Sequence, residues 1–214
     1  MATATAWRTI RDLVEQLGDI PLDRIRMNPP PGQATEDDVI AFARREKCYC
    51  VPVDGVLVEK TVGLQESLSA IALAGFLKAF VIPRNLGVIS GADGMIRLSP
   101  GLVRGPDLAF ASWDRFPDRR IPKEPIPTLA PDLVAEVLSV SDTAKEMKRK
   151  RGEDFSQGVP FVRDIDPRER KVTVYHPDAT KSVLNENDRL DGGDVPPGFS
   201  LELRELVAEP DRHG

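Results

Sequence analysis

The chain has 214 residues, 41% of them hydrophobic and 29% charged, and a formal charge of −5. That length suits one sizeable domain, with or without an appended segment, and the composition is ordinary for a globular protein. The acidic balance excludes a protein that coats nucleic acid through its overall charge, but leaves room for a local basic site.

Cys48 and Cys50 have no Cys/His cluster around them, so structural zinc is not expected and free thiols in a reducing compartment are. The start of the chain has no secretory h-region, and no run approaches the ~20 apolar residues of a membrane span. A cytoplasmic protein without a membrane partner is therefore expected.

In chain order, Ile10, Leu13, Val14 and Leu17 recur at helical spacing, predicting a short amphipathic helix over residues 6–17 that Gly18 ends. Asn28-Pro29-Pro30-Pro31-Gly32 reads as an extended connector, and Thr35-Glu36-Asp37-Asp38 caps a second helix reaching about Arg45. Residues 1–46 are read as an N-terminal helical extension packed on the main domain, residues 47–214. Over residues 50–59 an Asp54-Gly55 turn between apolar runs predicts a β-hairpin. A longer helix follows over residues 64–80, with Leu64, Leu68, Ile71, Gly75 and Phe80 near one face and Pro83 as its stop. Glu66 sits in its first turn, where an acid complements the helix dipole or serves a metal site.

Three strands are expected next, over residues 87–90, 95–98 and 103–110, the last carrying Asp107. Residues 115–131 read as an exposed loop rich in Pro, Arg and Lys. Residues 159–165 and 171–176 form a hairpin across Asp166-Pro167, and residues 199–203 alternate like an edge strand. The order predicts an α/β fold with a mixed sheet flanked by helices.

The segment between that loop and the second hairpin is the most informative. Leu133-Val134-Ala135-Glu136-Val137-Leu138 is an apolar strand interrupted by one acid, and burying a carboxylate there costs several kcal/mol or shifts its pKa. Ser141-Asp142 then offers an N-cap for a helix over residues 144–157 that Gly158 closes. That helix carries Lys145, Lys148, Arg149, Lys150 and Arg151. Pro106-Asp107 and Pro131-Asp132 each open an apolar strand. If the two strands are neighbours, Asp107 and Glu136 converge on a site whose hard oxygen ligands suit Mg²⁺ or Mn²⁺. Such a cation would polarise a phosphodiester, and a nearby lysine would balance developing charge. N-cap, turn and salt-bridge roles are the alternative. The basic run, with Arg115, Arg119, Arg120 and Lys123, is either a phosphate-contacting surface or a solvated face. His176 and His213 are weaker candidates, and neither a Ser/His/Asp arrangement nor a phosphate-binding glycine loop is recognisable.

Taken together, Arg104-Gly105-Pro106-Asp107, Pro131-Asp132-Leu133-Val134-Ala135-Glu136-Val137-Leu138-Ser139, Lys150, Gly158-Val159, Asp166-Pro167 and Val172-Thr173-Val174-Tyr175 resemble the Uma-type putative restriction endonuclease family of the PD-(D/E)xK nuclease superfamily. The likeness runs from Asp54-Gly55 to Pro197-Gly198-Phe199. It implies a restriction endonuclease-like core, a magnesium-dependent endonuclease activity on DNA, and DNA as partner, with a homodimer as the assembly to consider. By the same resemblance Asp107 and Glu136 hold metal, Glu66 adds a third acid, and Lys150 is the catalytic lysine, because Leu138 occupies the place two residues after Glu136. Val51 and Asp154 depart from the family pattern, and together with the lysine missing at Leu138 they motivate a rival reading as a non-catalytic nucleic-acid-binding or interaction module. A hydrolase of another phosphate ester is the third reading.

Overall fold

The computed structural model describes residues 7–46, 49–61, 63–193 and 195–208; Cys48 and His213 lie outside them. Helix α1 (Ile10–Leu17) starts at a capping box, in which Thr9 accepts from the Asp12 N–H and Asp12 bonds back. It ends at Gly18 with φ +94°, where a Cβ would lie 2.7 Å from the Glu146 backbone. Only glycine allows that approach.

Strand β1 (Ile25–Arg26) and helix α2 (Glu36–Glu46) follow, then the expected hairpin of β2 (Cys50–Val53) and β3 (Val56–Glu59). Asp54 and Gly55 both take positive φ in its two-residue turn, as the twist of a tight hairpin requires. Strand β1 pairs with β3, so this three-stranded sheet draws on both sides of residue 46.

Helix α3 (Leu64–Val81) turns Ser69, Ala72, Leu73, Leu77 and Val81 inward and leaves Leu64 and Ile71 exposed. The expected face was therefore wrong. The helix is apolar all round, so periodicity gave no preferred side. By length and composition alone α3 is also long and apolar enough to cross a membrane, contrary to the expectation that no run comes close.

The chain continues through β4 (Gly87–Gly91), β5 (Ile96–Ser99), β6 (Leu102–Arg104), β7 (Leu108–Ser112) and β8 (Leu133–Val137). The single strand expected over residues 103–110 is two strands, because Gly105-Pro106 interrupts the ladder. Strand β6 pairs with β5, while β7 joins the main sheet. The segment between β7 and β8 is not wholly exposed, since Phe116 and Ile126 are buried.

After β8 come α4 (Ala144–Ser156), β9 (Phe161–Asp166), β10 (Lys171–Tyr175) and β11 (Lys181–Asn185). The main sheet has the order β11-β10-β9-β8-β7-β4. It is mixed: β8 and β9 run parallel through the α4 crossover, and the other pairs are antiparallel. Strands β12 (Arg189–Asp191) and β13 (Ser200–Glu202) pair with each other away from it. Leu203, expected in a strand, opens α5 (Leu203–Ala208).

The sheet's two faces differ. Leu133, Ala135 and Val137 of β8 face the main core with Leu73 and Leu77 of α3 and Leu203 and Leu206 of α5. On the other face Val134 packs with Val159 and Val162. There Glu136 and its cross-strand neighbour Asp164 share the space with α4.

Candidate active site

Alternation along β8 puts Glu136 on the α4 face, and only 7% of it is exposed. Leu108 of β7 pairs with Ala135, so Asp107, one residue before the strand, comes opposite Glu136. The Val137 N–H donates to Asp107 Oδ2 at 2.8 Å, which fixes the aspartate beside the glutamate. The structure thus brings together the two acids on which the sequence converges.

Lys150, on the inward side of α4, has Nζ 4.0 Å from Glu136 Oε2 and 3.7 Å from Glu146 Oε1. Burial works against its ammonium, but Glu136, Glu146 and Asp142 outweigh that and hold its pKa above the ordinary lysine value. Burial pushes the Glu136 carboxyl up to about 7; Asp107 and Asp154 add to the rise, and Lys150 and Lys60 oppose it.

The other Pro-Asp has a structural task. Asp132 accepts from the Ser112 N–H and from Arg115 Nε, both at 2.7 Å. That also removes Arg115 from the set of free phosphate contacts. Glu66 lines a cleft of about 430 Å³ together with Asp107, Lys60 and Tyr49. Its carboxylate folds back over Gly63 at its own helix start. Among the described residues no three His, Cys, Asp or Glu side chains group closely enough to hold a metal, so Asp107 and Glu136 form a pair without Glu66. His176 stands edge-on to Phe161 at 5.7 Å, a packing role.

The basic run is neither a bare phosphate surface nor a solvated face. Lys145 pairs with Asp19 at 3.2 Å, Arg149 with Glu153 at 3.0 Å and Arg151 with Asp164 at 2.6 Å. Of the five cations in the run, Lys148 is the one that is exposed without an ion pair among the described residues. The helix is basic because it sits on acids of its own chain. Asp154, which departs from the family pattern, is buried; burial pushes its carboxyl up to about 6 against the pull of Arg104 and Lys150.

Three contributors were missed. Lys60, at the end of β3, has Nζ 2.8 Å from Asp107 Oδ1. Arg24 donates from both terminal nitrogens to Glu146, at 2.8 and 2.9 Å, and so fixes the acid that faces Lys150. Arg104, buried and paired with Glu153, adds positive potential at Glu136 and Asp154. A lysine after a strand and an arginine in an N-terminal turn carry no local pattern that marks them. Arg24→Ala should lower stability by about 2 kcal/mol, less than for a fully orphaned acid because Lys150 stays near Glu146. An unchanged denaturant midpoint would contradict this.

A mixed sheet flanked by helices, with two acids and a lysine meeting where its central strands begin and end, defines a domain of the restriction endonuclease-like fold. The chain belongs to the Uma2 family, described as "putative restriction endonuclease", which matches residues 27–204. A crystal structure of "a putative nuclease belonging to DUF820" from Anabaena variabilis ATCC 29413 is similar to this chain with TM-score 0.68 and 18% identity, covering 76% of this chain and 92% of that one. No curated protein matches the sequence.

Proposed function

We propose that the protein is a divalent-metal-dependent endonuclease that hydrolyses DNA phosphodiester bonds, with Mg²⁺ or Mn²⁺ held by Asp107 and Glu136. The observation that carries this reading is the pairing of those acids across β7 and β8, with the Lys150 ammonium 4.0 Å from Glu136. The donor set fits a hard cation: both ligands are carboxylates, and burial and Asp107 disfavour the Glu136 charge beyond what Lys150 and Lys60 offset, a cost that a bound dication would relieve. When bound, the cation supplies Lewis acidity at the phosphoryl group.

The remaining work falls to the chain's own groups. The Val137 N–H orients Asp107. Lys150, kept protonated by its acidic neighbours, offsets negative charge that builds on the phosphoryl oxygens. Arg24 holds Glu146 in place through both of its oxygens, and Lys150 sits between that fixed acid and Glu136.

The test compares cleavage of plasmid and single-stranded DNA with Mg²⁺ and Mn²⁺ by wild type, Asp107→Asn and Asp132→Asn. Asp107→Asn should lose about a hundredfold or more in rate, whereas Asp132→Asn should cleave normally per folded molecule. Equal loss in both, or none in Asp107→Asn, would refute the assignment. Salt-sensitive DNA binding without products in any condition would favour the non-catalytic binding module.

A further inference from the structure

The metal reading leaves one close contact unexplained. Lys60 Nζ lies 2.8 Å from Asp107 Oδ1, 2.6 Å from the Gly105 carbonyl oxygen and 3.2 Å from the Ala92 carbonyl oxygen. An ammonium has three protons to donate, and here each has an oxygen. One acceptor is an ionisable carboxylate. The other two are carbonyls from the turn after β4 and from the break between β6 and β7. Converging oxygens are also what a hard divalent cation uses, with water completing its six or more ligands. Lys60 is therefore seated where a cation bound by Asp107 would go.

The two charges exclude each other. A dication on Asp107 Oδ1 would face an ammonium on the same oxygen in a place where water screens little, since the two side chains are only 15% and 16% exposed. Repulsion between neighbouring positive charges is strong under those conditions. Lys60 has somewhere to go, because it also lines the cleft it shares with Asp107, Tyr49, Thr61 and Ser67. Its stem is long and flexible, so the ammonium reaches the cleft without moving the backbone, which the Lys60 N–H to Tyr49 carbonyl bond of 2.8 Å holds in place.

We infer that Lys60 is a displaceable cation: it fills the Asp107 seat when the metal is absent, and on metal entry it swings into the cleft to bind a phosphate of the substrate. This rests on the metal-site reading above. It gives the site two lysines with different tasks. Lys150 stays at Glu136, held by acids on its own helix and on β8. Lys60 moves. It also makes the metal-free site close to self-neutral, so free metal binds weakly and substrate, by giving Lys60 a new partner, favours metal entry. Metal and phosphate would therefore bind cooperatively, phosphate drawing the ammonium off the metal's seat and metal releasing it to the phosphate.

The experiment measures Mn²⁺ binding calorimetrically without nucleic acid for wild type, Lys60→Met and Lys60→Ala, with thermal melts to establish folding. It then measures cleavage at saturating Mn²⁺. If the ammonium holds the seat about nine-tenths of the time, removing it should tighten Mn²⁺ binding about tenfold. Both variants should also cleave more slowly than wild type at saturating metal, because the phosphate contact is gone. Alanine is the control for methionine, since it empties the seat without adding apolar bulk.

Unchanged or weaker Mn²⁺ binding in folded variants, with wild type binding normally, would overturn this inference alone and make Lys60 a fixed staple. Tighter binding with undiminished cleavage would overturn the phosphate contact. No Mn²⁺ binding by any of the three proteins would overturn the metal-site reading and this inference with it.

Discussion

Glu136→Gln should slow cleavage severely and, at the same time, stabilise the metal-free protein above pH 7. The folded-state carboxyl titrates at about 7 against an ordinary 4.5, chiefly because burial strips its charge of water. A carboxyl with a raised folded pKa binds more protons folded than unfolded between those values, so stability falls as pH rises through that window. Below about pH 4.5 the acid is protonated in both states and costs nothing. Above pH 7 the cost is complete, and a shift of this size corresponds to about 3 kcal/mol.

Glutamine keeps the shape and removes the charge. Lys150 is not orphaned, because Glu146 remains 3.7 Å away. The variant should therefore melt about 5 °C or more above wild type at pH 8, with the gap closing toward pH 5. Its cleavage rate should fall by about 10²–10³-fold. Melts across pH 5–8 in chelator would check the stability half. A Glu136→Gln protein that is less stable at pH 8, or that still cleaves, would show that Glu136 is an ordinary structural acid. The combination of lost activity with gained stability is the signature of a residue held in an unfavourable environment for function.

Arg163→Met should raise stability by about 1–3 kcal/mol and leave the site untouched. Arg163 is 1% exposed. It shares the core-facing side of β9 with Phe161 and Ile165, and its cross-strand neighbours are Ala135 and Val174 by register. One terminal nitrogen donates to the Asp191 carbonyl at 2.6 Å. Nε and the other terminal nitrogen have no hydrogen-bond partner among the described residues, and burial pushes the guanidinium pKa down to about 10. A buried cation with two unbonded nitrogens costs more than its single hydrogen bond and the nearby Asp191 charge return.

Methionine has similar length, fills irregular space and carries no charge. Because side chains alternate along the strand, Arg163 points away from Asp164, Glu136 and Lys150, so metal affinity and cleavage should not change. Chemical denaturation would read the gain as a higher midpoint at the same slope. A lower midpoint would mean that the guanidinium is better satisfied than these contacts show.

What the sequence determined by itself is the part written in local pattern. Asp54-Gly55 specifies a tight hairpin whatever surrounds it. Pro106-Asp107 and the apolar run through Glu136 mark two strands that each bring an acid, and a charge inside a buried run calls for a partner or a function. The Thr, Asp and Gly residues that bound α1, α2 and α4 follow from backbone hydrogen bonding at helix ends. Even there the cap of α4 moved by one residue: Thr143 accepts from the Glu146 N–H, while Asp142 turns back to the Ser139 N–H.

The tertiary structure decided everything that depends on which distant groups meet. Two Pro-Asp pairs look alike along the chain, yet Asp132 is consumed by Ser112 and Arg115 while Asp107 stays at the cleft. Helix α3 offers apolar residues on every side, so only packing against the sheet selected Leu73 and Leu77 over Leu64 and Ile71. The charges of α4 look like a surface for phosphates until their partners appear from α1, β8 and β9. Lys60 and Arg24 could not be found from local pattern, because an ion pair has no period, and its two halves here are separated by 47 and 122 residues. Local backbone preferences act over a few residues and are written in sequence. Electrostatic partnership acts through space and exists only once the chain is folded.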